Sequence, residues 1–124
     1  MAVPSEFLGK WSYDRHDGFD KYLEDMKVPW LLRKIGEGTY SMDSKFMTKT
    51  MHFEFVLEEE FESTGFDDKT STVLMTFENG ELIEKRTTKD KKEVSYSIFT
   101  VQGDTICQVL KAGEIGCKRY FKRS

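Results

Sequence analysis

The alternation of apolar and polar residues at every second position constrains the fold of this 124-residue chain more than any other feature. The clearest run places Phe53 and Phe55 on one face, with a glutamate between them. Turn residues interrupt the alternation at short intervals, and Asn79-Gly80 is the strongest hairpin signal, because a two-residue type I′ turn needs positive φ at both centres. No proline follows Pro29, so nothing in the sequence blocks strand pairing beyond it. The pattern predicts an antiparallel meander of short strands rather than βαβ units.

One stretch near the N-terminus has a helical period instead. Apolar residues spaced i, i+3, i+4 and i+7 predict an amphipathic helix there: Phe19, Tyr22, Leu23 and Met26. Pro29 can occupy the first position of a second short helix, which Gly36 would end. The sequence therefore predicts a helix pair at about residues 17–36, followed by the strands.

Length and charge limit the class of protein. A chain of 124 residues has the usual size of one domain, which we expect to span residues 1–124. The net charge is −3 and no segment is strongly basic, which argues against a nucleic-acid partner. Apolar runs are too short for a membrane span, and the N-terminal residues lack the features of a secretory signal. The two cysteines are too few for a disulfide framework and suit a reducing compartment, so we expect a cytoplasmic protein.

No pattern in the sequence supports catalysis. The two histidines, His16 and His52, lie in no zinc-binding motif, and the chain has no paired-cysteine spacing and no glycine-flanked serine near them. The sequence therefore predicts a protein that is not an enzyme and that needs neither a metal nor a cofactor.

The last predicted strand carries the most informative residue. Period two places Arg119 on the same face as Cys117 and Phe121, the apolar side of the strand. A guanidinium that faces a core is costly unless an anion compensates it, and the adjacent predicted strand offers no carboxylate on either face. A ligand carboxylate would meet that need. The alternatives are that the strand is flipped, or that Arg119 reaches solvent or pairs with a distant glutamate.

A series of short motifs, taken in order, resembles the intracellular lipid-binding proteins, which include the fatty acid-binding and cellular retinoid-binding proteins. The motifs are Phe7-Leu8-Gly9-Lys10-Trp11, Gly18-Phe19-Asp20-Lys21-Tyr22-Leu23, Arg33-Lys34, Glu60-Phe61-Glu62, Asp67-Asp68-Lys69, Asn79-Gly80 with Leu82, and Cys117-Lys118-Arg119-Tyr120-Phe121. The resemblance implies a mainly β fold, an antiparallel up-and-down β-barrel or β-clam of about ten short strands, capped by a helix-turn-helix. It also implies a carrier that encloses a hydrophobic ligand and performs no chemistry.

Two departures from the family pattern qualify this resemblance. Between Arg33-Lys34 and Glu60 the chain is shorter than the family pattern by close to the length of one strand and its turn, so one strand fewer is an open alternative. Members that bind fatty acid carboxylates commonly have Arg-x-Tyr in the last strand and a second Arg or a Gln three strands earlier. Here Arg119 is followed by Phe121, and the earlier position falls near Ile98.

The resemblance and the Arg119 pattern together predict a cytosolic carrier of long-chain fatty acids, with the ligand carboxylate near Arg119. The predicted cavity lining is Phe19, Tyr22, Val28, Tyr40, Phe55, Met75, Ile98, Cys107, Val109 and Phe121. Cationic residues predicted to form a portal that contacts anionic membranes are Lys21, Lys27, Arg33 and Lys34. We expect a monomer, because a closed sheet leaves few edges for another chain.

Two alternative functions stay open from the sequence. The first is a carrier of a retinoid or another hydrophobic metabolite, because Arg-x-Phe lies between the carboxylate-binding and alcohol-binding patterns of the family. The second is a lipid-surface or protein interaction module with a reduced cavity, which the shortened segment would favour.

Overall fold

The computed structural model describes residues 2–18, 29–46, 49–64, 70–89, 93–112 and 115–124. These ranges contain one 3-10 helix, Ser5–Phe7, and ten strands. The strands are β1 (Gly9–Gly18), β2 (Trp30–Gly36), β3 (Thr39–Phe46), β4 (Lys49–Val56), β5 (Phe61–Thr64), β6 (Thr70–Glu78), β7 (Glu81–Thr88), β8 (Val94–Gln102), β9 (Thr105–Ala112) and β10 (Ile115–Arg123). The strand count settles one alternative, because the shortening seen in the sequence removes no strand.

The ten strands form one antiparallel sheet in the order β4-β3-β2-β1-β10-β9-β8-β7-β6-β5. Every neighbouring pair is consecutive in the chain except β1 and β10, whose pairing brings the first and last strands together. The predicted turn at Asn79-Gly80 joins β6 to β7 with φ values of 53° and 79°, as a type I′ turn requires. The predicted mainly β, up-and-down barrel is therefore confirmed.

The two ends of the sheet, β4 and β5, follow each other in the chain but are not hydrogen-bonded neighbours. Aromatic side chains bridge them instead. The ring centre of Phe61 lies 5.3 Å from that of Phe53 and 6.5 Å from that of Phe55. Between the strands, the backbone N–H of Glu58 donates to the carbonyl of Met75 at 2.8 Å. Side-chain packing thus nearly closes the barrel between β4 and β5, where no backbone hydrogen bonds join the strands into a sheet.

The second predicted helix is wrong, because Trp30–Gly36 is strand β2. Trp30 and Leu32 are buried at a two-residue spacing, and the rings of Trp30 and Trp11 stack with centres 6.0 Å apart. A helix would have placed Ile35 on the same apolar stripe, but Ile35 is 46% exposed. The other predicted helix, at Phe19 to Met26, lies outside the described residues.

One end of the barrel is filled by aromatic residues, which we call the aromatic base: Phe7, Trp11, Trp30, Phe99 and Phe121. The 3-10 helix plugs this end, and the indole N–H of Trp11 donates to the carbonyl of Phe7 at 3.0 Å. Arg123 fixes the plug, since its Nη1 donates to the Leu8 carbonyl and its Nη2 to the Glu6 carbonyl, both at 2.7 Å. Its guanidinium also lies 4.4 Å from the centre of the Trp11 ring.

Arg123→Lys is expected to lower the free energy of unfolding by about 1.5 to 3 kcal/mol, because a lysine cannot reproduce the two-pronged contact with two carbonyls. Urea unfolding would measure the change. Lys122→Ala, at an exposed neighbouring position, is the control and should shift stability by about 0.5 kcal/mol or less. Equal losses in both variants would contradict the role assigned to Arg123.

Candidate functional site

Strand β10 alternates between buried and exposed side chains. Cys117, Arg119 and Phe121 are buried, with exposed fractions of 6%, 3% and 1%, whereas Lys118 and Lys122 are exposed. Arg119 therefore faces the inside of the barrel, where the sequence pattern placed it. A flipped strand is excluded.

Arg119 belongs to a hydrogen-bonded network that crosses three neighbouring strands. Its Nη2 donates to Oε1 of Gln108, the residue directly opposite on β9. The side-chain amide of Gln108 donates in turn to the hydroxyl of Ser97 on β8, at 3.0 Å. All three side chains are buried, and the guanidinium carbon of Arg119 lies 5.6 Å from the centre of the Phe121 ring. We call these three residues the Arg119 network.

Burial lowers the pKa of Arg119 to about 10, while Cys117, Glu84 and Tyr13 act in the opposite direction. The guanidinium is therefore still charged at neutral pH, although it has lost most of its water. Burial likewise raises the pKa of the Cys117 thiol, against a smaller effect of Arg119, so this thiol is protonated at neutral pH. The network presents a cation, an amide and a hydroxyl on the inner wall, which is the chemistry that receives a carboxylate.

Strand β7 adds two charged residues to the inner wall, neither of which is among the predicted site residues. Glu84 lies directly opposite Met75 and Ser97, which are 0% and 6% exposed, so its side chain shares their face. Arg86 follows at the next inward position, and its Nη2 lies 3.7 Å from Oε2 of Glu84. The sequence did contain a signal for Glu84 and Arg86. Side chains alternate along a strand, so these residues share the face of Leu82, which is buried.

Four of the predicted cavity residues are buried on the inner wall: Tyr40, Phe55, Met75 and Phe121. The Tyr40 ring stacks on Phe55 with centres 5.5 Å apart, and its hydroxyl accepts a hydrogen bond from the backbone N–H of Val3 at 2.9 Å. Three others, Phe19, Tyr22 and Val28, lie outside the described residues.

Three predicted cavity residues, Ile98, Cys107 and Val109, are on the outer face of the barrel, so their assignment to the cavity needs correction. Directly opposed residues of an antiparallel pair share a face. Because Arg119 faces inward, Gln108 opposite it also faces inward, and its neighbours Cys107 and Val109 must face outward. Ile98 pairs with Val109 and faces outward with it. The inner positions on these strands belong instead to Ser97, Phe99, Ile106, Gln108 and Leu110.

Of the predicted portal residues, the structure describes Arg33 and Lys34, and Lys21 and Lys27 lie outside the described ranges. Both described residues are exposed on β2, and Arg33 Nη2 lies 3.5 Å from Oδ2 of Asp43. His52 pairs with the same aspartate from β4. Hydrogen bonds with Asp43 and then with Glu54 hold the pKa of His52 above its ordinary value. Arg33 therefore belongs to a small ion-pair network on the outer face, whereas Lys34, opposite Tyr40 on β3, lies on the other face of β2.

Within the described ranges, no group of three or more His, Cys, Asp and Glu side chains is arranged to hold a metal ion. None of the helical residues that the structure describes belongs to a helix long and apolar enough to cross a membrane.

Comparison with known proteins decides the family. No family model matches the sequence. Fatty acid-binding protein homolog 2 of Echinococcus granulosus is 31% identical over an alignment of 130 positions, which covers 94% of this chain and 96% of that protein. The chain belongs to the fatty acid-binding protein family. Fatty acid-binding protein homolog 7 of Caenorhabditis elegans is 30% identical over an alignment of 138 positions, which covers 99% of this chain and 99% of that protein.

The fold of a family member agrees with this assignment. The crystal structure of fatty acid-binding protein 1 of Echinococcus granulosus superposes with a TM-score of 0.85 at 28% identity, covering 97% of this chain and 98% of that one. The resemblance to the intracellular lipid-binding proteins that the motifs indicated is confirmed. Because the family consists of binding proteins, the prediction that the chain is not an enzyme is confirmed with it.

Proposed function

We propose that this protein binds and carries a long-chain fatty acid, with the carboxylate at the Arg119 network and the acyl chain along the apolar inner wall. The observation that carries the proposal is the buried guanidinium of Arg119, held on the inner face by Gln108. A desolvated cation inside a barrel of this family has its natural complement in a ligand carboxylate.

The Arg119 network can also compensate for the missing tyrosine in the last strand. Phe121 offers no hydroxyl where family members that bind carboxylates commonly have tyrosine, but Gln108 and Ser97 bring an amide and a hydroxyl to the same wall. A carboxylate accepts several hydrogen bonds, so it can bind the guanidinium and also take an N–H or O–H from this pair. Met75 and Phe55, both buried on the inner wall, belong to the surface that we assign to the acyl chain.

A retinoid or another hydrophobic metabolite is the second candidate ligand, and Gln108 is the observation that favours it. A primary amide can bind an alcohol as well as a carboxylate, because it offers both a donor and an acceptor. An interaction module with a reduced cavity remains the alternative if no ligand binds.

Titration of delipidated protein with oleate and with retinol, each in competition with a fluorescent fatty acid analogue, tests these alternatives. Saturable displacement by oleate is expected. Displacement by retinol alone would favour the second candidate, and no saturable binding of either would reject the carrier. Mass spectrometry of the ligand that co-purifies from cells would provide an independent check.

We further propose that the protein acts as a monomer in the cytoplasm and contacts anionic membranes when it delivers its ligand. Both described cysteines are free thiols, as a reducing compartment would keep them. The aromatic bridge between β4 and β5 covers the part of the sheet where an open edge would otherwise invite pairing. Arg33 and Lys34 supply exposed cations for the membrane.

Replacing Arg33 and Lys34 together by Glu is expected to slow the transfer of a fluorescent fatty acid to anionic vesicles, because it removes the attraction to the surface. The rate of transfer at low and at high salt would be measured, since salt screens exposed charges. Replacing Lys111 and Lys118 by Glu gives the matched control, with the same change of charge on the outer face of β9 and β10. If both double variants slow transfer equally, net charge rather than the Arg33-Lys34 pair controls the rate.

A further inference from the structure

The charged pair on β7 is not explained by a carrier of plain acyl chains. Glu84 and Arg86 occupy successive inward positions, and their side chains are only 14% and 22% exposed. Arg86 lies opposite Val73, which is fully buried, whereas Lys85 between the two charged residues is exposed on the outer face. An alkyl chain seated against these two side chains would remove water from both charges and return no hydrogen bond.

The separation of the two charged groups leaves hydrogen-bonding capacity for a third group. Arg86 Nη2 and Glu84 Oε2 are 3.7 Å apart, which is an ion pair but is longer than the usual N–H···O hydrogen bond of about 2.7 to 3.2 Å. A small polar group between them can therefore bond to both. Because the two charges already neutralise each other, this group should itself be uncharged.

The pair lies on the same wall as the Arg119 network. Glu84 is directly opposite Ser97, the hydroxyl of Ser97 accepts from Gln108, and Gln108 accepts from Arg119. These four polar residues occupy four adjacent strands, β7 to β10, and the charge of Glu84 still acts on that of Arg119. A fatty acid whose carboxylate sits at Arg119 would therefore reach the pair with its acyl chain.

Hydrogen-bonding complementarity favours a group that both donates and accepts. An amine would be repelled by Arg86, a second carboxylate would be repelled by Glu84, and a ketone can only accept, which leaves Glu84 without a bond. A hydroxyl donates one hydrogen bond and accepts others, so it can donate to Glu84 and accept from Arg86 at once. We propose that Glu84 and Arg86 form a subsite for a mid-chain hydroxyl, and that hydroxylated long-chain fatty acids are the preferred ligands. This inference rests on the proposed binding of fatty acids with the carboxylate at Arg119.

Calorimetric titration with ricinoleate and oleate tests the subsite, because the two acids differ only by a mid-chain hydroxyl. Ricinoleate is expected to bind the wild-type protein about tenfold more tightly, the size of one hydrogen bond to a charged group. Replacing Glu84 and Arg86 together by Leu should abolish this preference and leave oleate binding intact or stronger, since both charges are removed and neither is left unpaired. Lys85→Leu, on the outer face of the same strand, should leave the ratio of affinities unchanged.

The outcomes separate the two proposals. If neither acid binds, the proposed function fails. If both bind and oleate binds as tightly as ricinoleate or more tightly, the fatty acid carrier stands and the hydroxyl subsite is overturned. A preference for ricinoleate that survives the double replacement also overturns it. Should the double variant not fold, Glu84→Gln, which keeps the shape of the side chain, takes its place and is expected to reduce the ricinoleate preference.

Discussion

Arg119→Gln is expected to lower the affinity for oleate by about 1 to 3 kcal/mol and to leave the affinity for oleyl alcohol nearly unchanged. The guanidinium is 3% exposed, so a carboxylate would meet its charge in a largely dry environment. An alcohol gains little from that charge. Calorimetric titration with the acid and the alcohol gives both affinities.

The same variant should leave the stability of the ligand-free protein unchanged or raise it. Arg119 is desolvated in the empty barrel, and a neutral glutamine removes this cost while it can still donate an amide hydrogen to Gln108. Stability and affinity should therefore change independently or in opposite directions. Lys118→Gln removes the same charge from the exposed neighbouring position and is the control for both measurements.

A purely structural role for Arg119 predicts a different result. The stability of the ligand-free protein would fall because Gln108 loses its partner, and the acid and the alcohol would lose affinity together or not at all. Thermal unfolding of the ligand-free protein, recorded beside the titrations, distinguishes the two roles.

The parts of the fold that depend on neighbouring residues could be predicted from the sequence. Asn79-Gly80 specifies its turn by backbone stereochemistry alone, and the structure has positive φ at both positions. The inward orientation of Arg119 follows equally from alternation within β10, because the burial of Cys117 and Phe121 fixes the face between them.

The parts that depend on distant residues could not be predicted in this way. The helix predicted at residues 30–36 depended on Pro29 and Gly36 as start and stop signals. Trp30 instead pairs with Trp11 on β1 and with Ser44 on β3, and these two strands determine its conformation. The outward orientation of Val109 follows only from the register between β9 and β10, which no local pattern encodes. The sequence alone left the orientation of Gln108 open for the same reason, although it is the residue that binds Arg119.

Gly9→Ala is expected to lower the free energy of unfolding by about 2 to 4 kcal/mol, the largest loss that we expect from a methyl group added at any glycine that the structure describes. Gly9 begins β1 one residue after the 3-10 helix ends and has φ of 125°, a backbone conformation that residues with a side chain rarely adopt. A β-carbon there would also lie 2.8 Å from Nη1 of Arg123. Urea unfolding would measure the loss.

Gly36→Ala is the matched control, because the nearest atom to an added β-carbon there is Cβ of Thr39 at 3.8 Å, an ordinary contact. It should change stability by less than about 1 kcal/mol. Combining Gly9→Ala with Arg123→Lys separates the two causes of the loss. In Gly9→Ala, the new methyl group should displace the Arg123 guanidinium and weaken its hydrogen bonds to the Leu8 and Glu6 carbonyls. The double variant should therefore lose less free energy of unfolding than the sum of the two single losses. Strictly additive losses would mean that the backbone conformation of Gly9 accounts for the whole effect and that Arg123 does not meet the new methyl group.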